Sequence, residues 1–395
     1  MKEININDYS YELPTDKIAT RPLPERDQSK LLVYKNGEIS HTVFNAIDTL
    51  LPANSCLYFN NTRVIPARLI FKKDSGAEIE IFILHPLYPS AVVIEAMQTT
   101  QTSTWKCTIG NLKRWPDELD LTLPFLNGEL SAKLINRADA TVTFSWSPAN
   151  LTFAEMIKET GSTPLPPYLK RKAETEDTTR YQTIYSATDG AMAAPTAGLH
   201  FTDAVLNGLH QNGISSQFLT LHVSAGTFLP VKVKNALDHP MHAEQVMIEK
   251  KTIESLLIQE QLCVAVGTTS LRTLESLYWY GVKLLLDNTS SFVITQMDAY
   301  SLPSFYSKQQ SLEAVLSKMN EDNATTLSGE TSIYIMPGYT CRVAKGLITN
   351  FHQPASTLML LVAAFIGPDW KKVYQQAIEN NYRFLSYGDS SLLLP

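Results

Sequence analysis

The sequence is short of cysteine, of charge and of long apolar runs, and each shortage excludes a class of protein. Its four cysteines (Cys56, Cys107, Cys263 and Cys341) are far apart and form no C-x-x-C pair, which favours free thiols over disulfides or a zinc site. Charged residues make up 18% of the chain, which speaks against disorder and against a coiled coil. The longest apolar run, 358–366, is too short to span a bilayer and predicts a buried helix.

The net charge of −6 shows no excess of positive charge, so any contact with nucleic acid would have to come from a local basic patch. The first residues carry no apolar signal core. We therefore expect a soluble, cytoplasmic protein that does not contact a membrane. A length of 395 residues with 44% hydrophobic residues indicates two to three domains and at least one sizeable core.

The first third of the chain has the texture of an antiparallel β domain. Asn36-Gly37 between two apolar runs predicts a hairpin with a type I′ turn. From about residue 63 to residue 147, short strand-like runs, one of them at 91–97, alternate with turns such as Asn127-Gly128. This spacing predicts a closed or nearly closed antiparallel barrel.

Beyond residue 190, helices and strands alternate. We place Thr202 as the N-cap of a helix that ends before Gly213. We also predict a buried strand at 263–266, a helix at 271–280 and a further strand at 333–336. We predict an α/β (α+β) fold: a large α/β domain, residues 1–62 and 151–395, whose mixed sheet is covered by helices, with an inserted antiparallel β-barrel domain at 63–150.

Two histidine-containing segments are the most informative part of the chain. A-P-T-A-G-L-H-F-T at 194–202 and L-H-V-S-A-G-T-F at 221–228 place His200 and His222 beside glycine-containing turns. At such turns backbone N–H groups and a titratable ring can converge on a ligand. Taken singly, a histidine is more often structural than catalytic, and three others read as surface, strand or helix-end residues: His41, His85 and His210.

Two strand–turn–helix segments carry further polar groups. The first is A-V-G-T-T-S-L-R at 265–272. A carboxylate or a phosphate can be held there by Thr268, Thr269 and Arg272. An equal alternative is that Thr269 or Ser270 only caps the helix. The segment 347–354 repeats the scheme with an apolar strand and a polar turn. Both turns and the 195–202 loop are expected along one rim of the same sheet.

Two more polar segments have competing interpretations. H-P-M-H-A-E at 239–244 lacks the helical H-E-x-x-H spacing, which favours His242 and Glu244 contacting ligand or backbone over a metal site. The stretch 382–389, which ends in Asp389, either anchors the C-terminus or completes the pocket.

These segments closely resemble those of the S-adenosylmethionine:tRNA ribosyltransferase-isomerases of queuosine biosynthesis. The matching motifs run in family order: Y-E-L-P, N-N-T-R-V-I-P-A-R-L, P-L-P-P-Y, R-Y-Q-T-I-Y-S, A-P-T-A-G-L-H-F, L-H-V-S-A-G-T-F-L-P-V, M-H-A-E, A-V-G-T-T-S-L-R-T-L-E-S, T-N-F-H-Q-P-A-S-T-L and Y-R-F-L-S-Y-G-D. Gln353 and Cys341 depart from the family pattern, which has leucine and often an aromatic there.

The resemblance implies an enzyme that transfers and isomerises the ribosyl part of S-adenosylmethionine onto an aminomethyl-deazaguanine base in the tRNA anticodon. The product is epoxyqueuosine, and adenine and methionine leave. It also implies a β-barrel domain attached to an α/β domain, usually in a monomer, with S-adenosylmethionine as co-substrate and no metal. Two alternatives stay open: a paralogue that uses a non-tRNA acceptor, and a metal-dependent hydrolase built on His200, His239 and His242.

On this interpretation the site residues divide into three sets. His200 or His222 is the base, and His352 or Asp389 serves the departing adenine. The residues expected to bind substrate are Thr196, Gly198, His242, Glu244, Thr268, Thr269, Arg272, Asn350 and Ser356. Those expected to contact tRNA are Arg63, Arg68 and Arg180.

Overall fold

The structure is a computed structural model that describes residues 3–126, 128–224, 231, 233–258 and 260–395. The predicted turn at Asn127 and the 225–228 part of the second histidine segment lie outside the described residues.

The strands, in chain order, are β1 (Lys30–Lys35), β2 (Glu38–Val43), β3 (Ser55–Asn60), β4 (Thr62–Val64), β5 (Arg68–Lys72), β6 (Glu78–Tyr88), β7 (Thr102–Gly110), β8 (Leu121–Phe125), β9 (Gly128–Asn136), β10 (Thr141–Ser147), β11 (Gly161–Ser162), β12 (Thr188–Ala191), β13 (Ser215–Leu221), β14 (Glu244–Glu249), β15 (Leu262–Val266), β16 (Val293–Ile294), β17 (Thr326–Thr331), β18 (Gly346–Asn350) and β19 (Ser390–Leu394). The α-helices are α1 (Ile47–Leu50), α2 (Val93–Gln98), α3 (Phe153–Thr160), α4 (Asp177–Arg180), α5 (Asp203–Gln211), α6 (Lys250–Ser255), α7 (Thr268–Leu286), α8 (Asp298–Ser301), α9 (Lys308–Glu321), α10 (Thr357–Ile366) and α11 (Trp370–Glu379).

A mixed sheet of ten strands forms the centre of the larger part of the molecule. Its order is β16-β17-β14-β13-β3-β15-β18-β19-β1-β2, and the neighbours β13, β3, β15 and β18 run parallel. Helix α7 contacts several of these strands, and apolar clusters cover the sheet. Because parallel strands end at a common edge, the turns after β15 and β18 lie side by side. The predicted helix-covered mixed sheet is confirmed.

A second sheet of seven strands is antiparallel throughout and curls into a half-barrel. Its order is β11-β5-β6-β7-β10-β9-β8, and β11, which follows α3, pairs with β5. Its inner face encloses a separate core that includes Trp105, Phe144 and Phe153. The predicted barrel-like domain is confirmed, while its limits at 63 and 150 stay a prediction.

Local signals in the sequence account for several of these elements. Asn36 and Gly37 both have positive φ (49° and 85°), as the turn between β1 and β2 requires. The Thr202 side chain accepts a hydrogen bond from the Val205 N–H and begins α5, and Gly213 follows the helix with φ 75°.

Two predicted strands are wrong. Most of the 91–97 run is helix α2, whose Val93, Ala96 and Met97 enter the barrel core at helical spacing. The 333–336 segment pairs with no strand, because its backbone bonds go elsewhere: the Ile333 carbonyl accepts from Arg272, and the Met336 N–H donates to Tyr300.

The predicted buried helix at 358–366 is confirmed as α10, which has Met359 to Ala363 in the core. Within the described residues, no helix has the length and apolarity that crossing a membrane would need. All four cysteines are free thiols.

Candidate functional site

The three turns predicted to meet do border a common cleft. A cleft of about 740 Å³, measured with its opening to solvent, lies at the carboxyl ends of β15 and β18. Of the substrate-binding residues predicted from the sequence, five line it: Thr196, Thr268, Thr269, Asn350 and Ser356. His352, predicted as a catalytic residue, lines it as well.

Helix α7 begins at this cleft. Gly267 has φ +89° and turns the chain from β15 into the helix, whose first residues are Thr268 and Thr269. The first N–H groups of a helix have no partner within it and carry a partial positive charge. The alternative, in which Thr269 or Ser270 caps the helix, does not hold: the residue before the helix is Gly267 and no side chain caps it. Ser270 Oγ donates instead to the Val266 carbonyl at 2.8 Å. The helix start can therefore receive a negatively charged or hydrogen-bond-accepting ligand.

His200 is held on both sides and is buried. Its Nε2 lies 3.1 Å from Asn350 Oδ1, and its Nδ1 lies 2.8 Å from Ser29 Oγ. Since the Asn350 amide nitrogen donates to the carbonyls of Leu385 and Ser386, its oxygen is the acceptor and Nε2 carries the hydrogen. His200 therefore orients Asn350 from behind the cleft instead of lining it.

His222 has a ring nitrogen without a partner. Its Nε2 is buried and bonds to none of the described residues, while its Nδ1 is 3.3 Å from Thr62 Oγ1. The ring lies against Gly190, where an added Cβ would come within 2.8 Å of Nδ1. The next residue, Val223, lines the cleft. The Thr62 hydroxyl donates to the Thr188 carbonyl at 3.5 Å, so Nδ1 carries the ring hydrogen and Nε2 is the accepting nitrogen. The ring does not itself line the cleft.

His352 lines the cleft directly. Its Nε2 lies 2.9 Å from Thr349 Oγ1, and its main chain is fixed by Tyr374, whose hydroxyl accepts from the His352 N–H at 3.1 Å. Tyr11 donates its hydroxyl hydrogen to the His352 carbonyl. The ring therefore has one defined partner and one nitrogen left for a ligand.

Asp389 is engaged by the surrounding chain. It is buried, its carboxylate accepts the N–H groups of Lys30 (3.1 Å) and Arg383 (2.7 Å), and the Arg383 guanidinium is 3.5 Å away. It does not line the cleft. These contacts anchor the C-terminal segment, and Leu385 and Ser386 of the same stretch line the cleft, so the stretch does both.

A second cavity of about 540 Å³, measured with its opening to solvent, adjoins the cleft, and Leu358 lines both. His242, Glu244 and Arg272 line it. Arg272 forms a buried ion pair with Glu244, which also accepts the Ser224 N–H at 3.0 Å. Arg272 Nε donates to the Ile333 carbonyl, but its Nη2 has no partner among the described residues. Arg272, which lines the cavity, therefore keeps one buried cationic N–H without a partner among the described residues.

Gly198 lies behind the cleft and not on its surface. An added Cβ would meet the Tyr185 hydroxyl oxygen at 1.9 Å and Thr183 Cγ2 at 2.8 Å. We expect Gly198→Ala to lower the free energy of unfolding by roughly 1–3 kcal/mol, because both side chains would have to shift. Urea unfolding measures it, with Gly110→Ala as the control, since its added Cβ would come no closer than 3.3 Å to another group. Equal stability of the two variants would contradict this packing.

The three arginines predicted to contact tRNA are all held by the protein. Arg63 donates to the Ser186 carbonyl at 2.7 Å and faces Asp189 at 3.6 Å. Arg68 pairs with Glu80. Arg180 donates to the backbone carbonyls of Leu23 and Pro24. Their guanidinium groups are partly exposed or border a cavity, so the prediction remains open.

Several residues that line the cleft were not among the predicted site residues, and Tyr168 and Ser386 are two of them. Tyr168 and Ser386 are hydrogen-bonded to each other although 218 positions separate them. The P-L-P-P-Y motif contains Tyr168 and was the available signal. Ser386 belongs to the 382–389 stretch, whose aromatic and charged residues were the available signal.

The residues of the metal-hydrolase alternative are not assembled. His239 and His242 line the second cavity, whereas both nitrogens of His200 are bonded elsewhere. Within the described ranges, no three His, Cys, Asp or Glu residues come together as a metal site.

Burial gives the site histidines an unusual pH dependence. It lowers the pKa of His200 and His222 to about 4 and that of His352 to about 3. The unfolded chain, with a histidine pKa near 6.5, therefore binds protons more readily than the folded one, and stability falls as pH drops below about 6.5.

We expect urea unfolding to show full stability above pH 7 and a loss of several kcal/mol by about pH 4, since each shift of about two pKa units is worth about 3 kcal/mol. His200→Gln should reduce this dependence, and the exposed His210→Gln should not. Equal stability at pH 7.5 and pH 5 would contradict the buried, neutral rings.

Comparisons with known proteins agree with the motifs. A family model described as queuosine biosynthesis protein matches residues 6–393. The S-adenosylmethionine:tRNA ribosyltransferase-isomerase of Geotalea uraniireducens (strain Rf4) is 35% identical over 397 residues, covering 99% of this chain and 100% of that protein. A crystal structure of S-adenosylmethionine tRNA ribosyltransferase from Thermotoga maritima is 26% identical with a TM-score of 0.47, covering 98% of this chain and 100% of that one. The chain belongs to the S-adenosylmethionine:tRNA ribosyltransferase-isomerase family of queuosine biosynthesis, a family of enzymes.

Proposed function

We propose that this protein transfers and isomerises the ribosyl moiety of S-adenosylmethionine onto the 7-aminomethyl-7-deazaguanine base at the wobble position of a queuosine-type tRNA. Epoxyqueuosine forms, and adenine and methionine are released. The protein acts in the cytoplasm as a monomer. The observation that carries the proposal is the cleft in which the start of α7, the 350–352 turn and the 195–197 loop meet.

The two adjoining cavities suit the two ends of S-adenosylmethionine. The nucleoside occupies the larger cleft, where Thr196, Asn350 and Ser356 supply hydrogen-bonding groups. The methionine carboxylate is bound by Arg272, whose unused Nη2–H supplies a charge-assisted hydrogen bond. Glu244 keeps the guanidinium in place and leaves His242 to contact the amino-acid end.

His222 is the favoured base. The sulfonium makes the adjacent ribose carbon acidic, so the first step needs a neutral group that accepts a proton. Burial keeps His222 neutral by lowering its pKa to about 4, and its Nε2 is unpartnered. His200 is also neutral, but both its nitrogens are already bonded. We assign it the positioning of Asn350.

His352 is the favoured donor to adenine. If the Thr349 hydroxyl donates to Nε2, then Nδ1 carries the hydrogen and can donate to a ring nitrogen of the departing base. Asp389 already accepts two backbone N–H groups away from the cleft. The amine of the tRNA base is the nucleophile, so no enzyme nucleophile is needed.

Incubation of the protein with S-adenosylmethionine and precursor-bearing tRNA tests the reaction. We expect adenine and methionine to appear in equal amounts and the tRNA to contain epoxyqueuosine by nucleoside analysis. Adenine release that does not depend on the tRNA, with another acceptor consumed, would instead support the paralogue. Elemental analysis that finds one metal ion per chain, with activity lost on chelation, would support the hydrolase.

A further inference from the structure

Three arginines border a separate cavity on the far side of His200. It measures about 300 Å³ with its opening to solvent, and Arg26, Arg180 and Arg383 line it together with Ser29 and His200. These arginines come from three distant parts of the chain. We call this space the arginine cavity.

Two of the three positive charges of this cavity, on Arg26 and Arg180, are not balanced by the described residues. Arg383 faces the Asp389 carboxylate at 3.5 Å. Arg26 donates only to the carbonyls of Gln182 and Thr179, and Arg180 only to backbone carbonyls. In the part of the chain that the structure describes, neither forms an ion pair, and Arg180 Nε has no hydrogen-bond partner.

Two cations held close together in a half-buried place are unfavourable without an anion. Burial and the nearby Arg180 charge lower the pKa of Arg26. The neighbouring carboxylates are already committed, since Asp177 pairs with Arg171 and Glu174 pairs with Arg21. An external anion would remove the repulsion, and arginine binds phosphate oxygens in a fixed, forked geometry.

The arginine cavity is connected to the cleft through shared residues. Ser386 lines both spaces. His200 lines the arginine cavity and bonds, at 3.1 Å, to Asn350, which lines the cleft. A group in the arginine cavity would therefore lie one layer of side chains away from a nucleoside in the cleft.

We propose that Arg26, Arg180 and Arg383 bind a backbone phosphate of the RNA substrate beside the nucleotide whose base enters the cleft. The assignment rests on the proposed function. Phosphate contacts fix the position of a nucleic acid without reading its sequence, so this site sets the register of the tRNA on the enzyme.

The test is the affinity of the full-length protein for precursor-bearing tRNA, measured without S-adenosylmethionine over a series of salt concentrations. We expect Arg26→Gln and Arg180→Gln each to weaken binding about 10-fold. We expect the slope of log K against log salt to become shallower by about one unit. The control, Lys251→Gln, removes the same charge from a side chain that is 74% exposed on α6, and should leave both values unchanged.

Two further variants separate charge from folding. Arg26→Lys and Arg180→Lys keep the cation but lose the forked geometry. They should therefore show the wild-type slope of log K against log salt, with a tRNA affinity between those of the wild type and the glutamine variants. If the lysine variants lose as much slope as the glutamine variants while melting at the wild-type temperature, the phosphate site is refuted.

Inorganic phosphate, added at constant ionic strength, is the second probe. It should weaken tRNA binding by the wild type more than by Arg180→Gln. A different pair of results would overturn the proposal. If phosphate protects the wild type but not Arg180→Gln from unfolding, and the two proteins bind tRNA equally well, then the cavity binds a free anion and not the tRNA.

The two proposals fail in different measurements. A wild type that binds tRNA with the expected arginine dependence but releases no adenine would refute the reaction and leave the phosphate site standing. A wild type that releases adenine, with Arg26→Gln and Arg180→Gln binding tRNA like Lys251→Gln, would refute the phosphate site alone.

Discussion

Replacing His222 by glutamine is expected to slow adenine release about 10²–10⁴-fold, the usual contribution of a positioned proton acceptor. Glutamine is similar in size and polar, so the buried space stays filled. Its amide nitrogen cannot accept a proton at neutral pH, unlike the unpartnered Nε2 of the histidine. Single-turnover release of adenine from S-adenosylmethionine, with saturating precursor tRNA, measures the effect.

His210→Gln is the matched control, because it makes the same exchange at an exposed position at the end of α5. His200→Gln should act mainly by releasing Asn350, and we expect it to raise the KM for S-adenosylmethionine more than it lowers kcat. Near-wild-type turnover in both His222→Gln and His200→Gln would remove histidine as the base.

The rim of the sheet was predictable because its signals are local. An apolar strand followed by a small polar turn and a helix, as at 264–270 and 347–357, identifies strand ends from neighbouring residues alone. Parallel pairing of β15 with β18 then brings Thr268 and Asn350 to one cleft. The class of fold and the position of the cleft follow from these patterns.

Contacts between distant parts of the chain were not predictable in the same way. Nothing local indicates that Ser29 and Asn350 bond to the two nitrogens of His200 and hold that ring in place. The 333–336 segment has the β-branched and aromatic composition of a strand, yet it is held by side chains. In such cases tertiary partners override local preference.

The same limit explains Gly198. From the sequence, a glycine at position 198 suggests that a ligand approaches the backbone closely. In the structure, the group that approaches the Gly198 backbone is the Tyr185 side chain. A glycine indicates that something comes near, but the sequence does not say what it is.

The buried ion pair between Arg272 and Glu244 leads to the second large expected effect. Arg272→Gln should lower the free energy of unfolding by about 3–5 kcal/mol, because Glu244 would remain buried without the cation that faces it. The double variant Arg272→Gln/Glu244→Gln removes both charges and should recover most of that stability. Urea unfolding of the wild type, both single variants and the double variant completes the cycle.

Binding of S-adenosylmethionine separates the two roles of Arg272. If its unused Nη2–H holds the methionine carboxylate, both Arg272→Gln and the double variant should bind S-adenosylmethionine about 10–100-fold more weakly, the value of a hydrogen bond to a charged group. Adenosine has no carboxylate, so its affinity should be the same in the stable double variant and the wild type. A double variant that binds S-adenosylmethionine as well as the wild type would restrict Arg272 to stability and place the carboxylate at the start of α7.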